Sequence, residues 1–175
     1  HGWRMALFLS MGALVLGAAI SAIAVWRFKP ASMQSVSRLA VPLPTGERLP
    51  VVQTPVLAIS PDGSRIAFVS LREGKRQIYL RPFDSAESKV IPGTEGAEYP
   101  FFSPDGKWLG FAAAGKLMRI SMDGGSPLAI CDAPNPRGVS WGGNGTIVFA
   151  PNYGNAGLSQ VSAGGGKPQT ITTRD

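Results

Sequence analysis

Four groups of residues in this chain are of types that could do chemistry. Gly164-Gly165-Gly166-Lys167 has the glycines and lysine of a phosphate-cradling loop. Such a loop also needs a Gly five residues before its last one and a Ser or Thr after the lysine, so that backbone N–H groups wrap the phosphates and a hydroxyl holds Mg²⁺. Val161 and Pro168 stand at those positions, so the run reads as a hairpin turn. Gly157-Leu158-Ser159-Gln160-Val161 begins like a nucleophile elbow but lacks the second glycine of that strained turn. Asp62 and Asp105 could be metal ligands or acid/base groups, yet they recur at the same place in two similar segments, as turn residues do. The single Cys131 and single His1 cannot build a disulfide framework, a Cys/His zinc site or a nucleophile–His pair. Cys131 reads as a small, partly buried thiol. The chain has no catalytic motif and no implied metal or cofactor site.

The elements that would position any site follow from composition. The chain has 175 residues, of which 44% are hydrophobic, and Gly (22) and Pro (15) together make about one residue in five. That excludes both a disordered chain and a long helical bundle, since so many breakers would interrupt helices. The length suits about one domain. A start at His1, ahead of the first methionine at Met5, reads as a piece of a longer protein.

The net charge of +6 is unevenly spread. Arg4, Arg27, Lys29, Arg38 and Arg48 stand against the lone acid Glu47 in the first 48 residues, while the remainder has 12 basic and 10 acidic residues. A nucleic-acid domain would gather its charge on one folded face. Here the excess flanks an apolar stretch, which predicts a lipid bilayer as partner and no nucleic acid.

That stretch, residues 5–26, has 22 residues without a charge. As a helix it would span about 33 Å, enough for a hydrocarbon core of about 30 Å. Trp3 and Trp26 sit where indoles favour the headgroup level, and Arg4, Arg27 and Lys29 flank the ends. The pattern predicts an uncleaved transmembrane α-helix within residues 1–26. Ala22-Ile23-Ala24 is the competing sign of a signal-peptide cleavage site. The visible flanking charges alone would leave the following domain in the cytoplasm.

Residues 27–56 contain Pro30, Pro42, Pro44, Pro50 and Pro55 and read as a stiff connector with one strand near residues 37–42. From Leu57 the chain repeats. Ser60-Pro61-Asp62-Gly63, Ser103-Pro104-Asp105-Gly106 and, one residue shorter, Gly142-Gly143-Asn144-Gly145 each precede an apolar strand. Pro presets φ, Asp or Asn bonds the backbone ahead of it, and Gly closes the turn. The turn glycines Gly63, Gly106 and Gly145 lie 43 and 39 residues apart, the period of four-stranded propeller blades. The fold predicted is therefore all-β: an incomplete β-propeller of about three four-stranded blades, near residues 57–92, 97–131 and 137–173, preceded by one transmembrane α-helix. Strand alternation places about half of the aromatic cluster Tyr99, Phe101, Phe102 and Trp108 between blades.

The Ser-Pro-Asp-Gly turns and the strands after them resemble WD-repeat-like blades of the TolB type. The resemblance widens with the order of segments: an apolar helix, a Pro-rich connector, Val41-Pro42-Leu43-Pro44, Leu57 to Gly63, then Pro92 to Ala97 leading into Tyr99 to Gly106. This order is similar to the C-terminal part of bacterial membrane-anchored serine/threonine protein kinases. The resemblance implies a single-pass protein of the bacterial inner membrane with an extracytoplasmic propeller, and a cytoplasmic kinase domain upstream. ATP and Mg²⁺ would belong to that upstream domain only. No kinase motif is present in these residues, so this chain is expected not to be an enzyme by itself. The expected role is a non-catalytic sensor or scaffold, its propeller binding a protein or small ligand. A TolB-like envelope scaffold and the propeller of a prolyl-oligopeptidase-like hydrolase are the alternatives.

Three blades are too few to close a ring. The expectation is an open arc with apolar blade faces exposed at both ends, and with the strand near residues 37–42 completing a final blade beyond this chain.

Overall fold

Strands form where apolar residues alternate between the repeated turns. The computed structural model describes Trp3 and residues 56–152 and 157–173. The expected helix at residues 5–26 and the strand near residues 37–42 lie outside the described residues. Among the described residues no helix is long and apolar enough to cross a membrane.

The first sheet comprises β1 (Leu57–Ile59), β2 (Arg65–Arg72), β3 (Lys75–Pro82) and β4 (Lys89–Val90). The second comprises β5 (Glu98–Phe102), β6 (Trp108–Ala113), β7 (Lys116–Ser121) and β8 (Leu128–Asp132). The third comprises β9 (Arg137–Trp141), β10 (Thr146–Ala150), β11 (Ser159–Ser162) and β12 (Gln169–Thr170). Each is an antiparallel meander in which every strand pairs only with its neighbours in sequence. These are three successive propeller blades. The outermost strands β4 and β12 are two residues long, which leaves little open edge for unwanted pairing.

The side-chain period of two gives each strand two jobs. In β6, Leu109 and Phe111 face the first blade and pack with its Ala67, Val69 and Ile78, alongside Ile120 of β7. Ala112 faces the third blade and packs with Leu117, Phe101, Ile147, Phe149 and Val161. Burying a side chain such as Phe111 or Leu109 is worth about 1.5–3 kcal/mol, so the two inter-blade layers carry the fold. Tyr99 and Phe101 lie in the layer between the second and third blades, and Phe102 lies in the other.

The outer faces of the first and third blades differ in composition. On the outer face of the first blade Ile66, Phe68 and Tyr79 are buried, and Leu57, Ile59 and Val90 are exposed beside them. On the outer face of the third blade Thr146, Val148, Gln160, Ser162 and Gln169 follow from the register, with Leu158 and Ile171 exposed beside them. Among the described residues, apolar side chains are more numerous on the outer face of the first blade.

Candidate functional site

The repeated turns are built from side-chain hydrogen bonds. In the β1–β2 turn the Ser60 hydroxyl donates to Asp62 Oδ1 (2.5 Å) and accepts from Arg65 N (2.9 Å). Asp62 also accepts from Ser64 N (3.1 Å) and from the Ser64 hydroxyl (2.7 Å). The β5–β6 turn repeats the pattern: the Ser103 hydroxyl donates to Asp105 Oδ1 (2.6 Å) and accepts from Trp108 N (2.9 Å), and Lys107 N donates to Asp105 Oδ1 (3.1 Å). Gly63 N and Gly106 N close each turn on the carbonyls of Ser60 and Ser103. Pro61 and Pro104 occupy the exposed second turn positions.

The serine hydroxyl, followed by the Ser64 hydroxyl and amide, holds the Asp62 carboxyl far below its ordinary range. The Ser103 hydroxyl and then the Lys107 amide lower Asp105 in the same way. These carboxylates are held as turn anions, which leaves them poorly suited to proton transfer near neutral pH.

In the third blade Asn144 replaces the aspartate, and its Oδ1 accepts from Thr146 N at 3.1 Å. Gly145 N closes on the Gly142 carbonyl at 3.1 Å. This turn is one residue tighter and carries Gly142 where the others carry serine; a Cβ there would sit 3.0 Å from Asn144 Oδ1. The ten turn residues singled out in the sequence thus fall in three equivalent turns. Those of the first two blades adjoin each other, since a Cβ on Gly106 would reach Pro61 at 3.8 Å.

Between the turns of the second and third blades lies an open hollow of about 270 Å³. Its walls include Pro104, Asp105, Trp108, Trp141, Gly143 and Ala163. Both indoles are half-buried. Trp141 is held from behind by Phe101, whose ring centroid is 6.0 Å away at a tilt of 58°. The Arg119 guanidinium stacks 4.5 Å from the Trp108 ring centroid. This places Trp108 at a surface and Tyr99, Phe101 and Phe102 in the core.

Several junction residues carry no motif and were invisible in the sequence. Thr94 is fully buried in the connector between the first two blades. Its hydroxyl donates to the Ile91 carbonyl (2.6 Å) and accepts from Ile78 N (3.0 Å), pinning the connector to β3. Arg76 of β3 pairs with Glu98 of β5. Arg137 of β9 donates to the Tyr99 hydroxyl at 2.8 Å. The Pro92 to Ala97 segment, used for the resemblance, was the available signal for the first of these.

The glycine run does not cradle an anion. Gly165 N donates to the Ser162 carbonyl (2.9 Å), and Gly166 N crosses to the Ile130 carbonyl of the second blade (3.1 Å). Among the described residues no three His, Cys, Asp or Glu converge as metal ligands. Burial, and then the neighbouring Asp132, pushes the Cys131 thiol up, away from the reactive thiolate.

The architecture has solved counterparts. A protein assigned as TolB from Agrobacterium tumefaciens matches with TM-score 0.57 and 23% identity, over 69% of this chain and 50% of that one. TolB from Acinetobacter baumannii matches with TM-score 0.55 and 18% identity, over 70% of this chain and 33% of that one. The fold is the TolB-type β-propeller. The propeller domain of the trilobed protease from Pyrococcus furiosus shares it at TM-score 0.51 and 16% identity, over 68% of this chain and 42% of that one. In sequence, an uncharacterised protein of Agrobacterium fabrum is 29% identical over 92 residues, covering 45% of this chain and 31% of its own length. No family profile matches the chain. The chain therefore spans about a third of that curated relative and half of the first TolB-type structure. Within a TolB-type propeller, the hollow sits at the junction of two blades, on the rim that carries the repeated turns.

Proposed function

We propose that this chain is the non-catalytic sensor or scaffold region of a membrane-anchored bacterial serine/threonine kinase, with the TolB-type propeller as its binding module for a protein or small ligand. The observation that carries the binding role is the hollow between the second and third blades. There two half-buried indoles and a carboxylate face solvent, while the polar groups of the turns around them are engaged within the fold. Such a surface can recognise a partner. The order of an apolar segment, a Pro-rich connector and TolB-type blades supports the membrane anchor and the kinase parent. In this reading the chain sits in the inner membrane, with the propeller outside the cytoplasm. It contacts lipid but not nucleic acid, and uses no cofactor of its own.

The test is made on the full-length protein from its complete reading frame. It should show ATP- and Mg²⁺-dependent autophosphorylation, resist alkaline carbonate extraction, and expose its propeller to protease from the outer side of the inner membrane. A reading frame without an upstream kinase domain would overturn the kinase assignment. Release of a shortened chain cleaved after Ala24 would favour a TolB-like envelope scaffold, which the same structural likenesses support equally.

A further inference from the structure

We infer that the hollow framed by Trp108, Trp141 and Asp105 is a saccharide subsite that takes a single neutral pyranose ring. The inference rests on the binding-module reading of the propeller but not on the kinase parent.

Three observations select this ligand chemistry. The hollow, at about 270 Å³, lies just below the roughly 300–1,000 Å³ of pockets for drug-sized ligands, so it suits one ring. Its walls include two indoles, each packed against a neighbour, Trp141 on Phe101 and Trp108 on Arg119. Flat aromatic faces attract the C–H face of a sugar ring, and preset rings lose little entropy when they bind. The polar group at the edge is an acceptor. Asp105 Oδ1 takes the Ser103 hydroxyl and the Lys107 amide. The Asp105 side chain is exposed, and a carboxylate has acceptor capacity beyond these two bonds with which to receive a ligand hydroxyl.

The same geometry disfavours the other ligands that indoles attract. A cation would meet Arg119, already stacked on Trp108 with its positive charge at 4.5 Å from the ring centroid. An anion would meet Asp105. A neutral ring bearing hydroxyls meets no like charge and can donate to the carboxylate. Gly142 and Gly143, both exposed, also line the hollow and add no side chain to it.

The experiment uses the full chain in a detergent without a sugar headgroup. Methyl β-D-glucopyranoside, N-acetyl-D-glucosamine and choline are titrated separately, with ligand-observed NMR saturation transfer and tryptophan fluorescence as readouts. A ligand of this size is expected to bind with Kd on the order of a millimolar. Trp141→Ala and Trp108→Ala should each weaken saccharide binding by about tenfold, and Asp105→Asn by about threefold to fivefold. Should Trp141→Ala fail to fold, Trp141→Phe and Asp105→Asn decide, since both keep the local packing. No saturable saccharide signal, a stronger signal from choline, or equal saccharide binding by wild type and Asp105→Asn would each overturn the inference. If the saccharides fail while autophosphorylation of the full-length protein still depends on the propeller, the subsite falls and the binding-module reading stands.

Discussion

The Tyr99 hydroxyl accepts a hydrogen bond of 2.8 Å from the Arg137 guanidinium, joining the innermost strand of the second blade to that of the third. Tyr99 is buried and sits at a register shift in β5 with φ of +52°, a left-handed conformation that bulky residues rarely adopt. The bulge aims the ring into the layer between these blades, and the charged hydrogen bond holds it there. Tyr99→Phe keeps the ring and deletes the acceptor. It should cost about 1.5–2 kcal/mol, read from the midpoint of denaturant unfolding at unchanged slope.

Gly110 lies opposite Phe101 in the β5–β6 register, and the Phe101 ring covers its Cα so closely that an added Cβ would overlap the ring. Gly110→Ala should therefore push Phe101 off Trp141 and cost about 2 kcal/mol, the range of an overpacked core. In the combination Gly110→Ala with Phe101→Leu, calorimetry should show sub-additive losses, because the second change removes the clash.

At Gly63 the backbone is left-handed, with φ of +68°, and a Cβ would meet nothing within 4 Å. The sequence suggests that a branched side chain there would be crowded; the structure assigns the cost to backbone strain alone. Gly63→Val should lose about 1–2 kcal/mol, with Gly63→Ala close behind. Asp62→Asn should lose less than either, since an amide oxygen can still accept from Ser60 and Ser64. Thermal melts of the three variants give the order directly.

Asp62 and Asp105 have folded-state pKa values lowered by the turn hydrogen bonds. Their contribution is complete above the ordinary carboxylate value of 3.8 and is lost as pH falls from there toward the folded values. Acid melts of wild type should lose stability over that window. The double variant Asp62→Asn with Asp105→Asn should lose less stability on acidification, although it starts lower at neutral pH. Both groups are solvent-exposed, so high salt should weaken the coulombic part of the effect but leave the hydrogen-bonded part.

The blades were legible in the sequence because their signals are local. Turn chemistry acts within five residues, and strand alternation acts within eight, so Ser60 to Gly63, Ser103 to Gly106 and the strands after them could be placed to within a residue or two. The deletion in the third turn was legible for the same reason. The close approach of Gly142 to Asn144 was not, because it exists only in the folded turn. Period alone also left the two faces of each strand equivalent. Only packing decided that Phe102 turns toward the first blade and Phe101 toward the third, with a register shift between Glu98 and Phe101 breaking the simple alternation. The hollow belongs wholly to this second class. Trp108 and Trp141 are 33 residues apart in the chain and become neighbours because two blades stack. Nothing in either local sequence encodes that distance, since the contact free energy arises between sheets that must each form first.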